Sequence, residues 1–380
     1  RPLDLLGMVY RTIRQGVIDM GAMFDLIDTP SEVTDAPGAR PLAVTAGAVR
    51  FEDVTFRYDA DPAARPMAVL DRLTLDIRPG ERIGLVGRSG AGKSTLARLI
   101  LGLSEPTSGS VTYCGKEVRE LCRGGRRDYW REVQVIFQDP FSSLNPRMQI
   151  GSILSEPLKN YGNVNADQRP QRIAELLELV GLPVTAASRF PHELSGGQRQ
   201  RVAIAAALAV DPRVIVADES VSALDVSVQA QIVNLLLDLK RQLGLTYVFI
   251  THNLNLSAYF CDRIAVLYLG QVMEICDASV LLREPMHPYT QALISAVPSM
   301  VAANRKPRTV LIGEIPSPIS PPSGCPFHPR CPRAINRCLT ERPELMAIAS
   351  GHQVACHVAQ SPVGLIVKSN LSSGVSNENH

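Results

Sequence analysis

The sequence predicts an α/β domain built on a largely parallel sheet, followed by a small unit rich in cysteine and proline. Three observations carry that expectation. From "VRFEDVTFRY" at 49–58 to about residue 283, strand patterns alternate with helical ones, the rhythm of parallel strands joined by helical crossovers. One apolar run, "RIGLVG", opens into the glycine-rich "GRSGAGKST" at 87–95 and then into the helix-like "TLARLILGL". Beyond Pro285 prolines and cysteines cluster as far as Cys356.

In chain order, residues 1–30 place Leu5, Leu6, Val9, Ile13, Val17 and Met20 at mostly three- and four-residue steps, which predicts an amphipathic helix ending before Pro30. Residues 31–48, with Pro37, Gly38, Pro41 and Gly47, read as a linker. The main domain is expected over 49–283, the cysteine-bearing extension over 284–360 and a disordered tail over 361–380, ending "SNLSSGVSNENH". At 380 residues and 45% hydrophobic content, there is enough chain for a full core and a smaller second unit.

Charge and hydropathy exclude several classes. Lys and Arg number 39 against 37 Asp and Glu, so nucleic acid is not expected as a bulk partner and any polyanion should be small and locally bound. The longest apolar run, "VAIAAALAV" at 202–210, is about half of a bilayer span. The N-terminus lacks a signal-peptide pattern. A reducing compartment is the default, where clustered cysteines serve as metal ligands or redox groups more often than as disulfides.

"GRSGAGKST" matches G-x-x-x-x-G-K-[ST] through Gly87, Gly92, Lys93 and Ser94, with Ser89, Gly90 and Thr95 completing the loop. A strand before it and a helix after it are the context that makes this a phosphate site. The glycines let backbone N–H groups turn inward, and the helix N-terminus favours an anion. Lys93 is expected to reach the β and γ phosphates of a nucleotide, and Ser94 to offer its hydroxyl to Mg²⁺. In "VIVADES" at 214–220, four apolar residues place Asp218 at a strand's C-terminal end as a second Mg²⁺ group. Glu219 follows as candidate base for the attacking water. In "LSGGQRQR" at 194–201, Ser195, Gly196, Gly197 and Gln198 open a helix and read as a simple cap or as a second anion site.

The order of phosphate loop, Gln138 in "VIFQDP", "LSGGQRQR", "VIVADE", "SALD" at 222–225 and His252 in "ITHN" resembles the nucleotide-binding subunit of an ABC transporter over residues 49–283. The resemblance implies a P-loop NTPase ABC ATPase domain: a parallel-sheet core, an antiparallel β subdomain and a helical subdomain. It implies ATP with Mg²⁺, and two such domains enclosing two ATP. Tyr58 matches the aromatic that stacks on adenine. Gln138 matches the glutamine that senses Mg²⁺ and the attacking water. Ser195 and Gly197 match the residues that grip the γ-phosphate held by the opposite subunit. Asp225 matches the aspartate that communicates between sites, and His252 the histidine that steadies the γ-phosphate. Ser220 departs from the family, which usually has proline there.

"FQDPFSSLNP", "HPYTQALISAVP" and "GCPFHPRCP" narrow the resemblance to the ATPases of oligopeptide, dipeptide and nickel importers. That branch implies a hydrolysing subunit peripheral to the cytoplasmic face of the cell membrane, two permease subunits as partners and, indirectly, a substrate-binding protein. Cys325, Cys331, Cys338 and Cys356 run Cys-x5-Cys-x6-Cys-x17-Cys, without the short Cys pairs of zinc fingers. Some members of the branch carry a [4Fe–4S] cluster on this pattern. Zinc, with cysteines or with His328, His352 and His357, is one alternative, and free thiols or disulfides are another. Residues 1–58 instead resemble the last membrane-helix extension and linker of heavy-metal and mitochondrial-type ABC half-exporters. An exporter fragment and a non-transport ABC ATPase therefore stand beside the importer reading.

Overall fold

The computed structural model describes residues 47–58, 67–139, 143–161, 164–296, 311, 313, 314, 316, 317 and 321–361. The helix expected over 1–30, the linker as far as residue 46 and the tail from residue 362 lie outside them. No helix among the described residues is long and apolar enough to cross a membrane.

In chain order the elements are β1 (Val49–Tyr58), β2 (Met67–Ile77), β3 (Arg82–Val86), α1 (Lys93–Ile100), β4 (Ser108–Tyr113), β5 (Lys116–Glu117), α2 (Val118–Glu132) and β6 (Val133–Ile136). Then come α3 (Ile150–Tyr161), α4 (Arg169–Leu179), α5 (Gly196–Leu208), β7 (Val214–Asp218), α6 (Val226–Leu243), β8 (Thr246–Thr251), α7 (Leu254–Phe260), β9 (Arg263–Tyr268) and β10 (Gln271–Asp277). The chain continues with α8 (Ala278–Arg283), α9 (Pro288–Ser295), α10 (Asn336–Thr340), β11 (Met346–Ala349) and β12 (His352–Val354). These form two compact units. One comprises the described residues of 47–137, 210–219 and 245–361 and holds the strands; the other comprises those of 138–209 and 220–244 and holds α3–α6.

The strand unit contains two sheets. A four-stranded antiparallel sheet runs β2-β1-β4-β5, with Val49 opposite both Ile77 and Tyr113. Its alternating strands bury Phe51, Leu75 and Ile77 on one face, as half-buried strands do. The eight-stranded sheet runs β11-β12-β10-β9-β3-β8-β7-β6. The part from β9 to the edge strand β6 is parallel, and β7 and β8 are apolar along nearly their whole length because they are buried on both faces. The last two strands belong to the cysteine-bearing extension. β12 pairs antiparallel with β10, Glu274 opposite Val354, so the extension lengthens the main sheet.

In the helical unit, α3, α4, α5 and α6 pack on one another. They bury Leu154, Leu158, Leu176, Leu177, Val202, Ile204, Ile232 and Leu236 at helical spacing. Helix α6 ends at Gly244, whose φ of 66 is the left-handed conformation that glycine takes without cost, after Lys240 and Arg241 in the last turn.

Candidate active site

The adjacency of β3, β8 and β7 decides where the chemistry sits. All three are parallel, so the loops after their C-terminal ends open on one edge of the sheet, where open α/β sheets bind ligands. The phosphate loop follows β3, Asp218 ends β7, and His252 follows β8.

Within the loop, Gly90 and Gly92 have φ of 80 and 94, which favour glycine. A Cβ on Gly92 would stand 2.7 Å from Leu70 Cδ2, and one on Gly87 2.4 Å from the Leu267 carbonyl oxygen, so the loop lies flat on its neighbours. Lys93 is buried, and its ammonium donates to the carbonyls of Gly87 (2.8 Å) and Arg88 (3.1 Å). Burial lowers its pKa, opposed by the negative charges of Glu219 and Asp218. Ser94 and Thr95 lie in the first turn of α1, and Ser94 hydrogen-bonds Asp218.

Asp218 has its pKa raised by burial and by neighbouring Glu219, against the lowering effects of Ser94 and Lys93. The Asp218 carboxylate held against the Ser94 hydroxyl offers oxygen donors of the type that Mg²⁺ uses, and these two residues would hold such an ion. Glu219 has φ of 46, uncommon for a non-glycine residue, and its N–H donates to Ile250 O at 2.9 Å. That turn brings its Oε1 to 3.6 Å from His252 Nδ1, while the His252 side chain is largely exposed.

The other expected residues occupy separate places. Tyr58 ends β1, is 41% exposed and meets Phe56 edge-on at 5.0 Å, so its ring is not consumed by the core. Gln138 opens the helical unit directly after Phe137. Ser195 caps α5: its hydroxyl accepts from Gln198 N–H (3.3 Å), while Gln198 Oε1 accepts from Ser195 N–H (3.0 Å). A Cβ on Gly197 would stand 2.6 Å from Val228 Cγ1, which explains a glycine there. Asp225 is the N-cap residue of α6. Sequence reasoning missed one neighbour of the phosphate loop. Arg88 N–H donates to the Tyr289 hydroxyl at 3.4 Å, across 201 residues.

In the extension, Cys325, Cys338 and Cys356 are buried and Cys331 half-buried, and every pair among the four is near enough to interact electrostatically. Burial pushes the Cys325 thiol up to about 12 and raises those of Cys331 and Cys356. Opposing that, Phe327 N–H reaches Cys325, Arg333 N–H reaches Cys331, and Val358 and Ala359 N–H groups reach Cys356. None of the eight cysteines is in a disulfide, and among the described residues no group of three His, Cys, Asp or Glu is arranged to hold a metal ion.

Residues 70–222 match the ABC transporter family, and residues 273–338 match the oligopeptide/dipeptide transporter C-terminal region. Over 297 residues the chain is 50% identical to the oligopeptide transport ATP-binding protein YkfD of Bacillus subtilis (strain 168), spanning 77% of this chain and 90% of that protein. A peptide import ATP-binding protein of Brucella ovis is 51% identical over 290 residues, 76% of this chain and 92% of its own. Among solved structures, the dimeric post-hydrolysis state of the ATP-binding cassette MJ0796, bound to ADP and Pi, is similar with TM-score 0.55 and 32% identity over 60% of this chain and 98% of that one. The cassette cbiO1 of Clostridium perfringens, part of the transporter complex cbiONQ, gives TM-score 0.57 and 25% identity over 63% and 92%.

Fold and phosphate loop together define the class, an ATPase of the ATP-binding-cassette type that works on ATP with Mg²⁺. The chain belongs to the ABC transporter family, on the branch that carries the oligopeptide/dipeptide transporter C-terminal region.

Proposed function

We propose that this chain is the ATP-hydrolysing subunit that energises membrane import of di- or oligopeptides, with nickel as the other cargo of the same branch. One observation carries the reading: half of the residues are identical, over about three quarters of the chain, to proteins named for peptide transport or import. Residues 49–283 serve as the nucleotide-binding domain and 284–360 as the importer-type extension. The chain works at the cytoplasmic face of the cell membrane with a second cassette, two permease subunits and a substrate-binding protein.

In this reading Lys93 and the loop amides hold the β and γ phosphates, Ser94 and Asp218 hold Mg²⁺, and Tyr58 stacks on adenine. Glu219 takes a proton from the attacking water, and its neighbour His252 steadies the γ-phosphate. Gln138 senses Mg²⁺ and water. Ser195, Gly196, Gly197 and Gln198 meet the nucleotide of the partner cassette, where the free face of a capped helix N-terminus favours an anion. Asp225 links the two sites.

The finer reading of the extension is a [4Fe–4S] cluster on Cys325, Cys331, Cys338 and Cys356, with zinc the alternative. Backbone N–H groups aimed at sulfur favour the thiolate form that either metal needs. Each of the three histidines has one ring nitrogen engaged. His352 Nε2 meets Glu274 at 2.8 Å, His357 Nε2 meets Glu341 O at 3.0 Å, and His328 Nδ1 meets Cys325 O at 2.9 Å. The cluster takes the four cysteines, whereas zinc could also draw on a second ring nitrogen of these histidines, of which His352 Nδ1 is buried without a hydrogen-bond partner. The role of the metal in this reading is structural or redox-sensing.

Affinity purification from cells that co-express candidate hydrophobic permease subunits tests the importer reading. Two permeases and peptide-stimulated hydrolysis are expected. Active ATPase that binds no permease returns the chain to the non-transport reading.

A further inference from the structure

His287, Pro288 and Tyr289 open α9, inside the region shared with oligopeptide and dipeptide transporters. The first two have local tasks. His287 N–H donates to the buried Glu274 carboxylate at 3.0 Å, and His287 Nδ1 accepts from Tyr289 N–H at 3.0 Å, capping the helix. Pro288 takes the first helical position, where a missing N–H costs nothing.

Tyr289 has no such local task. Its side chain is fully buried, with ring centroids 4.8 Å from Tyr268 and 5.4 Å from Phe327, and Phe327 in turn lies 5.4 Å from Tyr268. Three mutually packed rings leave the phenol one position, and there its oxygen accepts from Arg88 N–H. The other side of residue 88 is also held: its carbonyl accepts from Lys93 Nζ and from Ala91 N–H at 3.2 Å. Directly before it, Gly87 rests on the carbonyl of Leu267, the residue preceding Tyr268. Burial pushes the Tyr289 pKa up to about 12, so the phenol remains neutral over the working range of the enzyme.

We propose that Tyr289 is a positioning residue of the phosphate loop: its phenolic oxygen holds Arg88 N–H and so keeps the carbonyl on which Lys93 rests in the arrangement that receives a nucleotide. The proposal rests on reading residues 87–95 as the nucleotide-phosphate cradle. It also ties that cradle to the cysteine-bearing extension, because Phe327, in "CPFHPRC", packs directly on Tyr289.

The test uses the full chain and three variants. Tyr289→Phe removes only the hydroxyl and keeps the ring packing. Tyr268→Phe removes a hydroxyl from the same ring cluster that faces the Arg330 guanidinium. Lys93→Ala probes the cradle itself. Dissociation constants for a fluorescent ADP analogue, KM and kcat for ATP, and thermal midpoints are measured. One neutral hydrogen bond sets the scale at roughly two- to tenfold. Tyr289→Phe should raise the dissociation constant and KM by such a factor, with kcat falling less than KM rises. Tyr268→Phe should leave nucleotide affinity at the parent's value. If Tyr289→Phe binds nucleotide as the parent does while Lys93→Ala does not, the cradle stands and the proposal falls. If both tyrosine variants weaken binding equally, the effect is packing and the proposal also falls. If Lys93→Ala binds nucleotide normally, the cradle reading itself is wrong and the inference goes with it.

Discussion

Gly87→Ala is the most informative single perturbation of the phosphate loop. No left-handed φ is required at this residue, so the obstacle is space. An added Cβ would stand 2.4 Å from the Leu267 carbonyl oxygen and 3.0 Å from Ala91 Cβ. An ordinary carbon–oxygen approach is about 3.3 Å, so about 0.9 Å must be found. Leu267 cannot provide it, being fully buried in β9 and paired across to Val272. The loop must move instead. A misplacement of about 1 Å at a reacting centre lowers rates about 100-fold, and overpacking destabilises by about 1–3 kcal/mol. The variant should fold, lose about 100-fold in kcat/KM for ATP and melt a few degrees lower. Gly90→Ala is the contrast. It has open space and φ of 80, so its cost is backbone strain of about 1–2 kcal/mol without a steric push on the strand. Steady-state kinetics with calorimetric nucleotide binding make the comparison. A folded Gly87→Ala protein within threefold of the parent's kcat/KM would refute the claim that loop position is set by contact with β9.

Glu219→Gln should lower steady-state hydrolysis about 100- to 10,000-fold while nucleotide still binds, and turnover within threefold of the parent removes Glu219 as the base. Anaerobically purified protein should be brown and contain about four iron per chain, and Ser at Cys325, Cys331, Cys338 or Cys356 should bleach it. Ser at Cys114, Cys122, Cys261 or Cys276 should not, and stoichiometric zinc without iron would decide for the alternative. His287 gives a pH dependence of stability. Burial lowers its pKa from 6.5 to about 4, against the charge of Glu274, so the unfolded chain takes up its proton near 6.5 and the folded chain only near 4. Stability from this group is present above about 6.5 and falls as pH drops towards 4, by at most about 3 kcal/mol. Urea unfolding at pH 7 and pH 5 should show a steeper loss for the parent than for His287→Asn, whose amide oxygen can still cap α9. Equal losses would sink that assignment.

The local parts of this protein are written in short stretches of sequence. A strand, a glycine loop and a helix with Lys93 and Ser94 at its start are encoded within residues 82–100, and Asp218 follows four apolar residues on one strand. The reciprocal cap of Ser195 and Gln198 is likewise a four-residue pattern. Such features are legible because backbone geometry repeats over a few residues. The folded structure settled what meets across long separations. It set the strand order that brings His252 to Glu219, the left-handed turn at Glu219, the convergence of four thiols spread over 325–356, and the extension of the main sheet by β11 and β12. It also gave the cysteine-bearing extension a share in a core, through Phe327 among Tyr268 and Tyr289. The physical reason is that side-chain period reports which face of an element is buried but not its partner. The partner follows from strand pairing and packing over the whole unit, and so the contact of Tyr289 with Arg88 leaves no trace in either local pattern.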